Sequence, residues 1–181
     1  FYYNQVDSGF IGSGLVSIIF GVLFFLSNLD YEKKLTLPQA FLLTALSWLS
    51  IAIFGSLPFV FSDLSLSFTN AFFESMSGIT TTGSTILTNL NETPKAILLW
   101  RAMLQWLGGI GIIVMAITLM PIMNIGGMQL FVISNTHTPE KILPKSKEIS
   151  IRLIVIYSSL TLVCAFFYKI FGMSFFDSIV H

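Results

Sequence analysis

The sequence is poor in cysteine, histidine and charge, and each shortage removes a class of function. Cys164 is the only cysteine and lies in an apolar run, which leaves neither a disulfide framework nor a thiolate metal site. It is expected to be a small residue facing lipid or a neighbouring helix. The two histidines, His137 and His181, have no partner at metal-ligand spacing. No Ser/His/Asp, Cys/His or paired-carboxylate arrangement stands out, so an enzymatic role has no residues to rest on. Charged residues make up 10% of the chain, against roughly 25% in soluble globular proteins. Nine basic and nine acidic residues cancel, and no Lys/Arg-rich patch interleaved with aromatics occurs, which excludes nucleic acid as a partner.

What fills the sequence instead is apolar: 54% of residues are hydrophobic and the mean hydropathy is +0.83, values that point to an all-α integral membrane protein in contact with the lipid bilayer. A hydrocarbon core about 30 Å thick needs around 20 helical residues. Four stretches reach that length, near Phe10 to Ser27, Pro38 to Phe61, Ala96 to Met120 and Ser150 to Phe171. Asn28 and Asp30 follow the first, Pro38 opens the second, Pro94 precedes the third, and Pro121 with Gly126 and Gly127 follows it. The chain opens on Phe1 without the basic start of a signal peptide, so the first run is expected to stay in the membrane. With an apolar stretch under way at His181, the sequence reads as a piece of a longer polypeptide. Its expected organisation is an N-terminal helix with the start of a link over 1–30, a complete span, half-helix and span unit over 31–127, a link over 128–149, and the start of a second unit over 150–181.

Between the second and third spans lies "SFTNAFFESMSGI", residues 67–79, whose apolar residues recur at helical spacing. At 1.5 Å per residue it covers only about 20 Å, too little to cross a membrane. It reads as a re-entrant half-helix, capped by Ser67 or Thr69 and ended by Gly78 in a conformation that a residue with a Cβ resists. Lys33 and Lys34 in the link 28–37, and Lys141, Lys145 and Lys147 in the link 121–149, put those links on the cytoplasmic side by the positive-inside rule, with residues 85–95 outside. After the fourth span, "GMSFFDSIVH" echoes "SLSFTNAFFES": Met-Ser-Phe against Leu-Ser-Phe, Asp177 against Asn70, Ile179 against Phe72.

The half-helix leads into "ITTTGSTIL". Irregular backbone survives inside a bilayer only when it is buried in protein or lines a watery path, because an unpaired amide in hydrocarbon costs several kcal/mol. Thr80 to Thr85 suit the second case. Threonine favours extended backbone and adds hydroxyl oxygens, while Gly83 allows dihedrals that let consecutive carbonyls point the same way. Such a row of oxygens replaces the hydration shell of a large monovalent cation. The absence of a carboxylate between Thr80 and Thr85 disfavours calcium or magnesium. The chemical reading is a potassium-type filter.

Together, "FFESMSGITTTGSTIL", "LLWRAMLQWLGGIGIIVMAITLMP" and "GGMQL" resemble the membrane subunit of the bacterial Trk/Ktr potassium-uptake systems, over about Leu37 to His181. The resemblance implies span, half-helix, span units repeated four times around a pseudo-fourfold axis in the bacterial cytoplasmic membrane, each supplying one filter strand. It further implies homodimers of the full-length subunit on a cytosolic nucleotide-binding regulatory ring, with K+ as the transported ion and no organic or covalent cofactor. By position, Thr81, Thr82, Gly83 and Ser84 form this unit's filter strand and hold K+ through backbone carbonyls, with Thr80 at its inner entrance. In related proteins serine in place of the filter glycine weakens potassium preference, and this unit retains Gly83. The family's gating loop belongs to a later unit.

Other features carry plainer readings. Glu74, mid-half-helix, is expensive unless paired or wetted and is expected, with Gly78, to support the filter from behind. Arg101 either repels cations, braces the filter or snorkels to headgroups, and no role is assigned to it. The glycines of "WLGGIGI" sit in an apolar span with no preceding strand, so they serve close helix approach or bending rather than phosphate binding. The charged stretch 135–152 reads as a solvated link or a contact for the regulatory ring. Two rivals remain open: sodium or mixed sodium/potassium movement within the same superfamily, and a non-conducting membrane scaffold or sensor. Channel-like flow and coupled symport are equally open.

Overall fold

The computed structural model describes residues 8–28, 36–90, 92–123 and 142–181, and among these every regular element is an α-helix. The order is α1 (Ser8–Ser27), α2 (Leu37–Val60), α3 (Phe68–Ile79), α4 (Lys95–Met123), α5 (Ile142–Ile170) and α6 (Phe175–Val180). Four of them contain stretches long and apolar enough to span a bilayer, Gly9–Ser27, Pro38–Val60, Lys95–Ala116 and Glu148–Ile170, with mean hydropathies of 2.3, 1.9, 1.7 and 2.0. No more than 17% of any of these stretches is buried within the protein. Side chains such as Phe24, Phe25, Leu162 and Phe166 are therefore exposed, on surfaces far more apolar than a water-facing monomer tolerates.

The helix ends follow local chemistry. At the start of α2 the Thr36 N–H donates to Gln39 Oε1 at 2.9 Å, and Pro38 occupies the first turn, where a missing N–H leaves no gap in the ladder. Pro94 similarly precedes α4, its carbonyl accepting the Ile97 N–H at 3.0 Å. Two boundaries differ from the sequence-based expectation. α4 continues through Pro121 to Met123, and α5 begins at Ile142 rather than near Ser150. In α5, Pro144 falls in the first turn, a position that tolerates it. The links carrying Lys33, Lys34, Lys141 and His137 lie outside the described residues.

Two compact units are present, Phe1–Trp106 and Leu107–His181. In the first, α1 and α3 both pack on α2. Its core gathers Phe59, Ala71, Ile97 and Leu104, flanked by Phe10, Val60 and Trp100. The Trp100 indole donates to the Gly55 carbonyl at 2.9 Å and meets the Phe10 ring edge-on at 6.1 Å. Gly55 lies where α2 meets α3, since a Cβ there would stand 2.7 Å from Ser75 Oγ and 3.2 Å from Leu104 Cδ2. In the second unit α6 packs on α5, and Gly109 admits the Tyr157 hydroxyl, which a Cβ would approach to 2.6 Å. That is the close-approach role expected of the "WLGGIGI" glycines.

The contact at Gly55 generates a paired test. Ser75 Oγ is buried without a hydrogen-bond partner among the described residues. Ser75→Ala removes that unsatisfied hydroxyl and is expected to raise stability by about 1 kcal/mol, whereas Gly55→Val overpacks the same contact and is expected to lower it by about 2 kcal/mol. Thermal unfolding of the full-length protein in detergent reads both. A Gly55→Val protein as stable as wild type contradicts the tight α2–α3 contact.

Candidate functional site

The site is built outward from the start of α3. Ser67 is the cap, its Oγ accepting the Asn70 N–H at 3.3 Å from an extended backbone with φ −62 and ψ 153. From there Ala71, Glu74, Ser75 and Gly78 fall on one helical face, and all four are buried. Three of them are small, so neighbouring helices approach closely. A Cβ on Gly78 would lie 3.1 Å from Leu104 Cβ.

The sequence points to Gly78 as the residue that ends α3 in a left-handed conformation; the structure differs. α3 runs through Gly78 to Ile79, Thr80 follows at φ −82 and ψ 2, and the left-handed residues are Thr81 at φ 58 and Gly83 at φ 79. The reason is steric: Gly78 faces Leu104 and serves helix contact, so the turn is displaced to the loop. A β-branched residue in the left-handed region costs about 1–2 kcal/mol. Hydrogen bonds hold Thr81 there, its N–H donating to the Gly78 carbonyl at 2.9 Å, while the Ser77 carbonyl accepts the N–H groups of Thr82 at 3.0 Å and Gly83 at 3.4 Å.

Residues Thr80 to Thr85 are exposed, whereas Glu74 directly behind them is fully buried. Glu74 is the hub of the arrangement. Its Oε1 accepts from Thr85 Oγ1 at 2.7 Å and from Arg101 Nε at 2.6 Å, and its Oε2 accepts from the Ile86 N–H at 3.0 Å. Arg101 extends the hold, with Nη2 donating to the Gly83 carbonyl at 2.8 Å and approaching the Ser84 carbonyl at 3.5 Å. The Ser77 hydroxyl donates to the same Ser84 carbonyl at 2.6 Å. At the base of the loop the Thr80 hydroxyl donates to the Met76 carbonyl at 2.7 Å and lies 2.9 Å from Thr82 Oγ1.

All five expected filter residues therefore lie on one exposed strand, with Glu74 and Gly78 behind it. The carbonyls divide into two pairs. Those of Thr81 and Thr82 accept nothing from the described residues, whereas those of Gly83 and Ser84 are turned together toward Arg101 and Ser77. Consecutive carbonyls do point the same way at Gly83 and Ser84, but toward the guanidinium, the strongest donor within reach. The sequence by itself assigns Arg101 no role. The missed signal was an acidic residue on the half-helix and a basic one early in the next span, two charges that each need a partner in an apolar setting. No group of three or more His, Cys, Asp or Glu able to hold a metal ion occurs among the described residues.

The family model TrkH, described as a cation transport protein, matches residues 8–179. The Trk system potassium uptake protein TrkI of Halomonas elongata is 47% identical over 79% of this chain and 29% of its own length. The Trk system potassium uptake protein TrkH of Vibrio parahaemolyticus is 41% identical over 99% of this chain and 38% of its own; that of Escherichia coli strain K12 is 39% identical over the same shares. The crystal structure of the potassium transporter TrkH from Vibrio parahaemolyticus superposes with a TM-score of 0.84 at 38% identity, covering 99% of this chain and 36% of that one. The chain thus spans roughly a third of the length of these relatives.

The buried pair supplies the test of this geometry. Arg101→Gln leaves Glu74 as an uncompensated buried charge and is expected to cost about 3 kcal/mol. Glu74→Gln with Arg101→Gln is expected to cost less than the two single changes added together, by at least about 1 kcal/mol. Unfolding of the four proteins in detergent closes the cycle, and simple additivity contradicts a direct contact.

Proposed function

This chain belongs to the TrkH family of cation transport proteins, and from that premise we propose that it supplies one of four filter strands to a potassium-uptake protein of the bacterial cytoplasmic membrane. The observation that carries this reading is the exposed strand Thr80 to Thr85, anchored from behind and left-handed at Thr81 and Gly83. A permeating K+ exchanges water for peptide oxygens. The open carbonyls of Thr81 and Thr82 are its first ligands, and those of Gly83 and Ser84, each engaged from behind, offer their second lone pair. Thr80 stands at the inner entrance, where its hydroxyl and that of Thr82 meet an ion that is regaining water.

The half-helix α3 enters from the outer side, residues 85–95 face outward, and the links 28–37 and 121–149 face the cytoplasm. Full-length subunits pair as homodimers on a cytosolic nucleotide-binding ring, with stretch 135–152 on the side that meets it. The protein is a transporter rather than an enzyme. A monovalent cation suits a strand without carboxylates, since calcium and magnesium sites draw on negative ligands.

Gly83 gives the decisive experiment, because the space around it is open: a Cβ there would meet only Gln105 Nε2, at 3.5 Å. The effect of substitution is therefore conformational, through the positive φ of 79. In a potassium-uptake-deficient bacterium the full-length wild-type gene is expected to restore growth on low potassium. Gly83→Ser is expected to lower potassium-over-sodium preference roughly tenfold, matching the ~1–2 kcal/mol that a Cβ adds at positive φ. Failure of the wild type to rescue growth removes the uptake reading, and an unchanged preference removes Gly83 from the filter.

A further inference from the structure

Ser13, Ser17, Thr44, Ser47, Ser56 and Ser159 each donate their hydroxyl hydrogen to a carbonyl three or four residues back in their own helix, the bond open to any helical hydroxyl in an apolar setting. Ser77 does not. It lies two residues before α3 ends at Ile79 and is only 6% exposed, yet its hydroxyl reaches seven residues forward, out of the helix, to the Ser84 carbonyl at 2.6 Å. The distance is short even for an O–H···O bond. With its one hydrogen spent there, the hydroxyl has none left for the carbonyls of Phe73 and Glu74 in its own helix.

The backbone of Ser77 serves the same loop, its carbonyl accepting the N–H groups of Thr82 at 3.0 Å and Gly83 at 3.4 Å. One residue thus holds three consecutive members of the strand, two by their N–H groups and Ser84 by its oxygen. Arg101 does not duplicate the last of these. Its Nη2 serves the Gly83 carbonyl at 2.8 Å but comes only to 3.5 Å from that of Ser84, the outer limit of a hydrogen bond. The two neighbouring oxygens are therefore held by different donors on different helices, Gly83 by a cation on α4 and Ser84 by a neutral hydroxyl on α3. A neutral donor fixes a carbonyl without adding a positive charge beside it. We propose that Ser77 is a positioning residue of the filter strand: its hydroxyl sets the direction of the Ser84 carbonyl, and with it the second lone pair that this oxygen offers to an ion at the outer end of the strand. The inference rests on the filter reading above and deepens it. A preset oxygen discriminates between ions of different radius, whereas a freely turning one follows whichever ion arrives.

The test uses the full-length transporter in proteoliposomes, with potassium and sodium uptake measured per reconstituted molecule for wild type, Ser77→Ala, Ser77→Cys and Gly83→Ser. Ser77→Ala removes the hydroxyl and leaves both backbone bonds of residue 77 in place. It is expected to lower potassium-over-sodium preference roughly fivefold, the effect of one lost hydrogen bond, and to raise KM for external potassium by more than it lowers kcat. Ser77→Cys, whose S–H is a weak donor, is expected to fall between Ser77→Ala and wild type. If Ser77→Ala lowers potassium and sodium uptake in equal proportion, the hydroxyl serves the fold alone and the proposal is wrong. If Gly83→Ser shifts the preference while Ser77→Ala matches wild type, the Ser77 proposal is wrong and the filter stands. If Gly83→Ser has no effect either, the filter reading itself has failed. The Ser84 carbonyl gives a check independent of transport: its carbon resonance in the labelled protein in bilayers should move upfield in Ser77→Ala, as loss of a hydrogen bond requires, and an unmoved resonance overturns the proposal.

Discussion

Glu74 has no access to solvent, and a carboxylate in such a place persists only if its oxygens are claimed by donors and its charge by a cation. Both conditions are met by groups that also fix the neighbouring loop. Thr85 and Ile86 approach from the strand, Arg101 from α4. The loop cannot drift from α3 without stranding the carboxylate, and α4 cannot slide without withdrawing the guanidinium. An irregular segment that could not order itself by propensity is thus ordered by the cost of leaving one buried charge unpaired.

That anchoring depends on how closely three helices meet. Gly55 on α2, Ser75 and Gly78 on α3 and Leu104 on α4 form one contact in which small residues lie opposite a large one. A bulkier residue at Gly78 would push α4 away, and Arg101 sits less than one turn from Leu104 on that helix. Helix packing and polar anchoring are therefore one constraint seen from two sides, because the small-residue face brings the guanidinium within 2.6 Å of the carboxylate. In lipid, where apolar contact alone brings little association, small faces and polar bonds are the two forces available.

The long helices were legible from the sequence because hydropathy over twenty residues is a strong signal and proline marks helix starts such as Pro38 and Pro94. The short helix α3 and its Ser67 cap are legible for a local reason, a hydroxyl at the right distance before an apolar periodic run. What escaped was whatever depends on residues distant in the chain. The reading of Gly78 as a helix terminator rested on glycine's backbone freedom, yet its neighbour Leu104 makes it a contact residue, and the left-handed turn passed to Thr81. Arg101 has no role legible in the sequence because an arginine early in a span satisfies snorkelling equally well; only the fold brings it to Glu74, twenty-seven residues away in sequence. The orientation of the Gly83 and Ser84 carbonyls was out of reach for the same reason, since it is set by that guanidinium.

The pairing also answers an electrostatic difficulty that the filter reading raises. A guanidinium whose Nη2 is 2.8 Å from the Gly83 carbonyl stands within about 6 Å of any cation bound on the other side of that oxygen. At an effective dielectric constant near 20, two positive charges at that separation repel by about 3 kcal/mol, enough to empty a site. Glu74, 2.6 Å from the same side chain, supplies the opposite charge and offsets part of that repulsion. Arg101 holds the loop by hydrogen bonds to the Gly83 and Ser84 carbonyls with its own charge paired. An arginine without its carboxylate would brace the backbone as a net positive charge, and a carboxylate without its arginine would be an uncompensated buried charge. The loop is thus braced by the two charges as one paired unit, buried behind its exposed residues.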